Sequence, residues 1–293
     1  MNKDSVGIVI ILGIIALAIF GGVKNTGNNS FVSSEDLTPA QKQQNIQTEV
    51  VKVQTQVEDL KKQVQSQEDF KTQSKYKNSV SLSINRSEKP SEEYITIRVA
   101  SNATTSILVT GWTLKSVNGG VSVKIPKGTY LLFSGKQNVE EDIYLTGGDT
   151  LYLITGTSPN GASFKLNKCS GYLNQFQTFT PYISSNCPVP RDEDLSSIPK
   201  VVLNDACLDY IETFPQCRIQ EGPLPVKWNR ECTDFIINKI SYAGCIETHK
   251  DDKDFYGKEW MVYLKRNNSL WKIKRENVIL YDLDGKIVGE LKY

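Results

Sequence analysis

The clearest chemistry in this 293-residue chain is offered by six cysteines: Cys169, Cys187, Cys207, Cys217, Cys232 and Cys245. Their even number, confined to the second half of the chain, is the pattern of disulfides formed in an oxidising compartment. A structural zinc site wants close pairs such as Cys-x2-Cys, so that one turn presents two thiolates to one ion. The nearest pair here, Cys207 and Cys217, is ten residues apart, so no metal site is expected from them. His249 is the single histidine, and a Ser-His-Asp arrangement would have to recruit it. It lies in Glu247-Thr248-His249-Lys250-Asp251-Asp252-Lys253-Asp254, which reads as a solvated loop. Asp251, Asp252 and Asp254 lack the alternation and glycine of a calcium loop, and Lys250 and Lys253 compete with a cation. No serine occupies a Gly-x-Ser-x-Gly elbow. Glu92-Glu93 and Glu140-Glu141-Asp142 read as strand-end surface charge. No catalytic residue and no cofactor are expected. Tyr172, Phe176, Phe179 and Tyr182 read first as the small core of the loop between Cys169 and Cys187, and second as a binding surface for carbohydrate or peptide.

Two helical patterns position the other cysteines, Val201–Phe214 and Asn229–Ala243. Pro215 ends the first, and Gly222, Pro223 and Pro225 fill the gap. Six cysteines allow many pairings. An antiparallel helical hairpin favours the nested order Cys207–Cys245 and Cys217–Cys232, leaving Cys169–Cys187 to close the aromatic loop.

Upstream, from residue 79, the pattern alternates with period two. Ser79–Ile84, Tyr94–Val99, Ile107–Val109, Trp112–Lys115, Val121–Ile125, Tyr130–Phe133, Asp142–Leu145, Leu151–Ile154 and Ser163–Leu166 read as strands, separated by turns such as Asn118-Gly119-Gly120 and Gly147-Gly148-Asp149. Near the end, Trp260–Leu264 with Leu270–Lys274, and Val278–Tyr281 with Ile287–Leu291, read as two hairpins. Many short strands without intervening helices predict a mainly β, antiparallel sandwich or barrel. Glu93–Ile97, Ile107-Leu108-Val109-Thr110-Gly111-Trp112-Thr113-Leu114, Ile125–Thr129 and Gly148–Leu153 together resemble the lamin-tail domain over roughly residues 79 to 166. Glu276–Val288 is similar to its closing hairpin. The resemblance implies an immunoglobulin-like β-sandwich of the kind found in bacterial exported proteins, a binding or scaffolding module without catalytic residues. Whether the last strands complete that sandwich or form a separate unit stays open at this level.

Ahead of the strands, Ile46, Val50, Val53, Val57, Leu60 and Val64 are spaced 4, 3, 4, 3, 4, the seam of a short coiled coil that predicts a homo-oligomer. Further upstream, Val6–Val23 is uncharged and apolar. As a helix it spans roughly 27 Å, enough for a thin bilayer. It reads as an uncleaved signal anchor, since the apolar run continues through Ile19 and Phe20; a signal peptide cut after Ala16-Leu17-Ala18 is the competing reading. Lys+Arg at 34 against Asp+Glu at 33 leaves no basic face for nucleic acid.

The expected order is an anchor over 1–23, a flexible spacer over 24–39, a coiled-coil stalk over 40–75, a lamin-tail-like sandwich over 79–190, a Cys-rich helical hairpin over 191–258 and terminal hairpins over 259–293. The expected function is a single-pass protein of the cell membrane with most of the chain extracytoplasmic, making structural or adhesive contact with an envelope protein or glycan. The alternative is an envelope enzyme, or enzyme accessory, acting on glycans.

Overall fold

The computed structural model describes residues 38–133, 137–193, 205–225 and 228–293. The Val6–Val23 segment and nearly all of the spacer lie outside these. Among the described residues no helix is long and apolar enough to cross a membrane. The chain divides into two units, with the boundary between Val64 and Gln65.

Helix α1 runs from Pro39 to Thr72, crossing that boundary. Pro39 opens it, at the one turn where a missing N–H costs nothing. The interior has neither glycine nor proline and is rich in Gln, Lys and Glu, all good helix formers. The predicted seam lies on this helix: Ile46, Val50, Val53, Leu60 and Val64 are exposed, and Val57 is half-buried.

The second unit is mainly β. Its strands are β1 (Val80–Asn85), β2 (Tyr94–Val99), β3 (Ile107–Leu108), β4 (Thr113–Ser116), β5 (Ser122–Lys124), β6 (Tyr144–Leu145), β7 (Thr150–Ile154) and β8 (Phe164–Asn167). Three follow the Cys-rich stretch: β9 (Tyr256–Tyr263), β10 (Asn277–Tyr281) and β11 (Ile287–Lys292). They form a five-stranded sheet in the order β1-β2-β7-β9-β8, a four-stranded sheet β11-β10-β4-β5, and the pair β3-β6. One buried cluster draws on both larger sheets, with Ile95, Ile97, Leu151, Leu153, Trp260 and Val262 from the first and Leu114, Val123, Val278, Leu280 and Val288 from the second. Alternation puts these side chains on one face of each strand, which is why period two was readable. Trp112 is buried in the same cluster, and Gly111 before it has φ +84°, a left-handed turn that glycine adopts without strain.

Tyr130–Phe133, expected as a strand, forms none, and two further strand expectations need correction. The sheets are not wholly antiparallel: β9 lies parallel to β7, Leu151 opposite Trp260, and antiparallel to β8. A parallel neighbour needs a long crossover, and the Cys-rich stretch provides it. β9 thus becomes an interior strand of the first sheet, while β10 pairs with β4 of the second. The expected Trp260–Leu264/Leu270–Lys274 hairpin does not form. Both edges of β9 are taken, and the amides of the second segment are captured by carboxylates. Glu93, 0% exposed, accepts from Leu270 N at 2.8 Å, Trp271 N at 3.1 Å and Thr155 Oγ1 at 2.6 Å. Buried Glu276 accepts from Ser116 Oγ at 2.8 Å, Asn277 N at 2.9 Å and Asn118 N at 3.2 Å. Burial works against the charge of Glu276, yet these bonds and the Lys272 N–H hold its carboxyl below the usual range. Glu93 is therefore an internal anchor of the loop, not surface charge.

Candidate functional site

The Cys-rich stretch is built from short helical pieces. A 3-10 helix spans Ser170–Gln175 and a second spans Pro190–Asp192, followed by α2 (Asp205–Thr213), α3 (Arg230–Asp234), a π turn over Phe235–Lys239 and α4 (Tyr242–His249). The pattern Asn229–Ala243 predicted one helix, but it breaks. Asn229 Oδ1 caps α3 by accepting from Cys232 N at 2.9 Å. Ile240 leaves helical geometry with ψ 67°, and Ser241 Oγ caps a new helix by accepting from Gly244 N at 3.0 Å. Cys232 and Cys245 therefore sit on different helices.

That break changes the pairing. All six cysteines are in disulfides, as Cys169–Cys245, Cys187–Cys217 and Cys207–Cys232. The nested order and the Cys169–Cys187 loop closure are both replaced. Cys207 and Cys232 lie near the starts of α2 and α3. A bond between two helix starts does not fit an antiparallel hairpin, in which a start meets an end.

Cys169–Cys245 has the widest span in sequence, 76 residues, and joins two structural pieces. Cys169 immediately precedes the 3-10 helix, and Cys245 lies within α4. Both pieces contribute walls to a cleft of about 580 Å³. Tyr172 and Leu173 come from the first wall, Tyr242 and Ile246 from the second, while Phe176 and Ile219 complete the apolar lining. Gln175 fixes Ile219 by two hydrogen bonds to its backbone: Ile219 N donates to Oε1 at 2.7 Å, and Nε2 donates to Ile219 O at 3.2 Å. Gly171 lets the second disulfide approach, since a Cβ there would meet Cys217 Sγ at 2.4 Å and Cys187 Sγ at 2.8 Å. Burial pushes the Tyr172 and Tyr242 hydroxyls up to about 12, so both are neutral, hydrogen-bonding groups at any ordinary pH.

The four predicted aromatics separate. Tyr172 and Phe176 line the cleft, with Phe176 65% exposed. Phe179 is buried and packs edge-on to Phe164, with ring centroids 6.0 Å apart. Tyr182 is exposed outside the cleft and bonds Ser185 through its hydroxyl.

His249 departs from the loop expectation. It ends α4, half-buried between two carboxylates, with Nε2 3.1 Å from Glu193 Oε1 and Nδ1 2.9 Å from Asp252 Oδ2. Asp252 and Asp254 converge on Lys168 Nζ, at 2.9 and 2.7 Å, instead of forming a cation loop. Burial lowers the imidazole's proton affinity, but the Glu193 and Asp252 carboxylates outweigh it and raise the pKa above its ordinary value. Lys168 is adjacent to Cys169, so these ion pairs reinforce the disulfide between the same two pieces. At the rim, Glu247 is held by Lys239 at 3.2 Å. Lys250 is exposed, and among the described residues no carboxylate pairs with it.

The aromatic loop was the one signal of this cleft in the sequence. Tyr242 and Ile246 were not singled out, because the Cys169–Cys245 bond joins their helix to the Tyr172 segment, and neither was Ile219, which Gln175 and the neighbouring Cys187–Cys217 bond hold there. No family model matches the chain, and neither a curated protein nor a solved structure matches it.

Proposed function

We propose that this chain is a membrane-anchored, extracytoplasmic interaction protein without an enzymatic role, whose head carries an immunoglobulin-like β-sandwich of lamin-tail type and a disulfide-stapled cap. The observation that carries the reading is the cleft: apolar and aromatic walls left open at the surface, yet braced by a disulfide and by the ion pairs of Lys168 beside it. An open apolar recess in a braced frame suits binding, because a pre-organised surface loses little entropy when a partner docks. Three disulfides support an oxidising compartment. The exposed seam of α1 supports a self-associating stalk, and two or three heads on one stalk multiply weak contacts through effective concentration. The two buried glutamates are bonded by loop amides, a structural role that gives the glycan-enzyme reading no support.

The test has two parts. Cross-linking on intact cells gives dimers or trimers, which disappear in the Val53→Asp/Leu60→Asp variant. Capture with the full chain from envelope extract, and on purified cell-wall glycan, retains a partner that the Phe176→Ala/Ile246→Ala variant loses. A full chain that stays monomeric on cells and captures nothing from either source rejects the reading.

A further inference from the structure

We propose that the cleft takes a free, small amphiphile with an apolar body and a single anionic group, an assignment that rests on the reading of the cleft as a binding site. Its volume of about 580 Å³ falls among small-molecule sites, which run from roughly 300 to 1,000 Å³. Leu173, Phe176, Ile219 and Ile246, with the rings of Tyr172 and Tyr242, present hydrocarbon to whatever enters. The surface of the lining is mostly apolar, which favours a hydrocarbon body over a sugar. The body of the ligand is therefore apolar.

Charge at the rim sets its polar end. Two charged side chains line the cleft, Glu247 and Lys250. The Glu247 carboxylate is already matched by Lys239, so it does not attract a cation. Lys250 keeps an ammonium at the exposed rim beside apolar walls, and no carboxylate among the described residues pairs with it. One amide donor of the lining, Asn160 Nδ2, lacks a hydrogen-bond partner, so the lining has a donor to spare for an anionic head group. An apolar chain ending in one carboxylate fits both halves of this surface; a cationic amphiphile would meet Lys250 unfavourably.

The experiment uses the full chain in nanodiscs of neutral lipid, with three diazirine probes tried separately: a fatty carboxylate and the alcohol of equal chain length, each below its aggregation concentration, and a phospholipid held in the disc. After irradiation, adducts are mapped by mass spectrometry. The expected result is labelling of the peptides holding Tyr172–Phe176 and Tyr242–Ile246, with the carboxylate favoured about threefold, the scale of one exposed charge pair. Lys250→Gln, an exposed position that leaves the disulfides in place, abolishes the preference and keeps labelling by the alcohol. Phe176→Ala lowers labelling by the carboxylate and the alcohol. Equal labelling by carboxylate and alcohol in the parent chain overturns the proposal, as does a preference that survives Lys250→Gln. Labelling of these peptides only by a diazirine phospholipid held in the disc also overturns it. Failure of the envelope capture with this pattern intact would sink the interaction reading and leave the ligand class standing.

Discussion

Removing the Cys169–Cys245 bond tests the argument that this disulfide holds the two walls of the cleft together. The Cys169→Ala/Cys245→Ala variant is the right perturbation, because both positions are buried and a serine hydroxyl would add its own unpaired cost. The bond spans 76 residues, but Cys187–Cys217 and Cys207–Cys232 short-cut that path. With those two intact, the loop released is roughly 45 residues, and the chain-entropy relation assigns it about 4 kcal/mol. At about 1.4 kcal/mol per decade, amides of α4 protected through opening of the cap should exchange about a thousandfold faster. Hydrogen exchange on the oxidised full chain reads this peptide by peptide. The strongly protected amides of β2 and β7, interior to the five-stranded sheet, serve as the internal control. Protection of α4 that stays within threefold of the parent refutes the staple, and would mean that packing of Ile246, Phe255 and their neighbours holds the walls by itself.

Three further outcomes follow from the same geometry. Gly171→Ala places a methyl against two sulfurs, so the variant should lose about 1–3 kcal/mol in urea unfolding or fail to form Cys187–Cys217, as shown by non-reducing peptide mapping. His249 has a raised folded pKa, so its stabilising contribution is complete below its unfolded value near 6.5 and is lost as pH rises through the folded value. Proteolytic nicking near Glu193 should therefore increase across that window in the parent chain, and His249→Gln should remove the pH dependence. Glu276 has a depressed folded pKa, so its contribution is present above the ordinary carboxylate value and is lost as pH falls through the folded one. Glu276→Gln should flatten that acid limb of the stability profile while costing about 1–3 kcal/mol at neutral pH, measured by denaturant titration.

Most strands were legible because each has one buried face, and alternation of side chains across a strand writes that burial into the local sequence. Tyr94–Val99 is found with the expected limits, and the strands at Val80, Thr113, Ser122, Thr150, Phe164, Val278 and Ile287 lie within a residue or two of theirs. The long helix and its heptad seam were readable for the same reason, since spacing along one chain is enough to define a stripe. Oxidised cysteines were expected from their number and position. Their partners were not readable, because a bond between Cys169 and Cys245 depends on a helix break at Ile240 and on where the long connection between β8 and β9 returns. The same holds for β9, whose composition marks a strand without naming its neighbours or its direction. Glu93, Glu276 and His249 carry charges that ordinarily signify surface, and only their partners 56 to 178 positions away make them internal anchors. The cleft belongs to this second class: half of its aromatic lining stood out in one loop, while the other wall arrives by way of the disulfide. Local periodicity is encoded over a few residues, whereas contacts that close space between distant segments leave no local trace, and it is those contacts that make the candidate site.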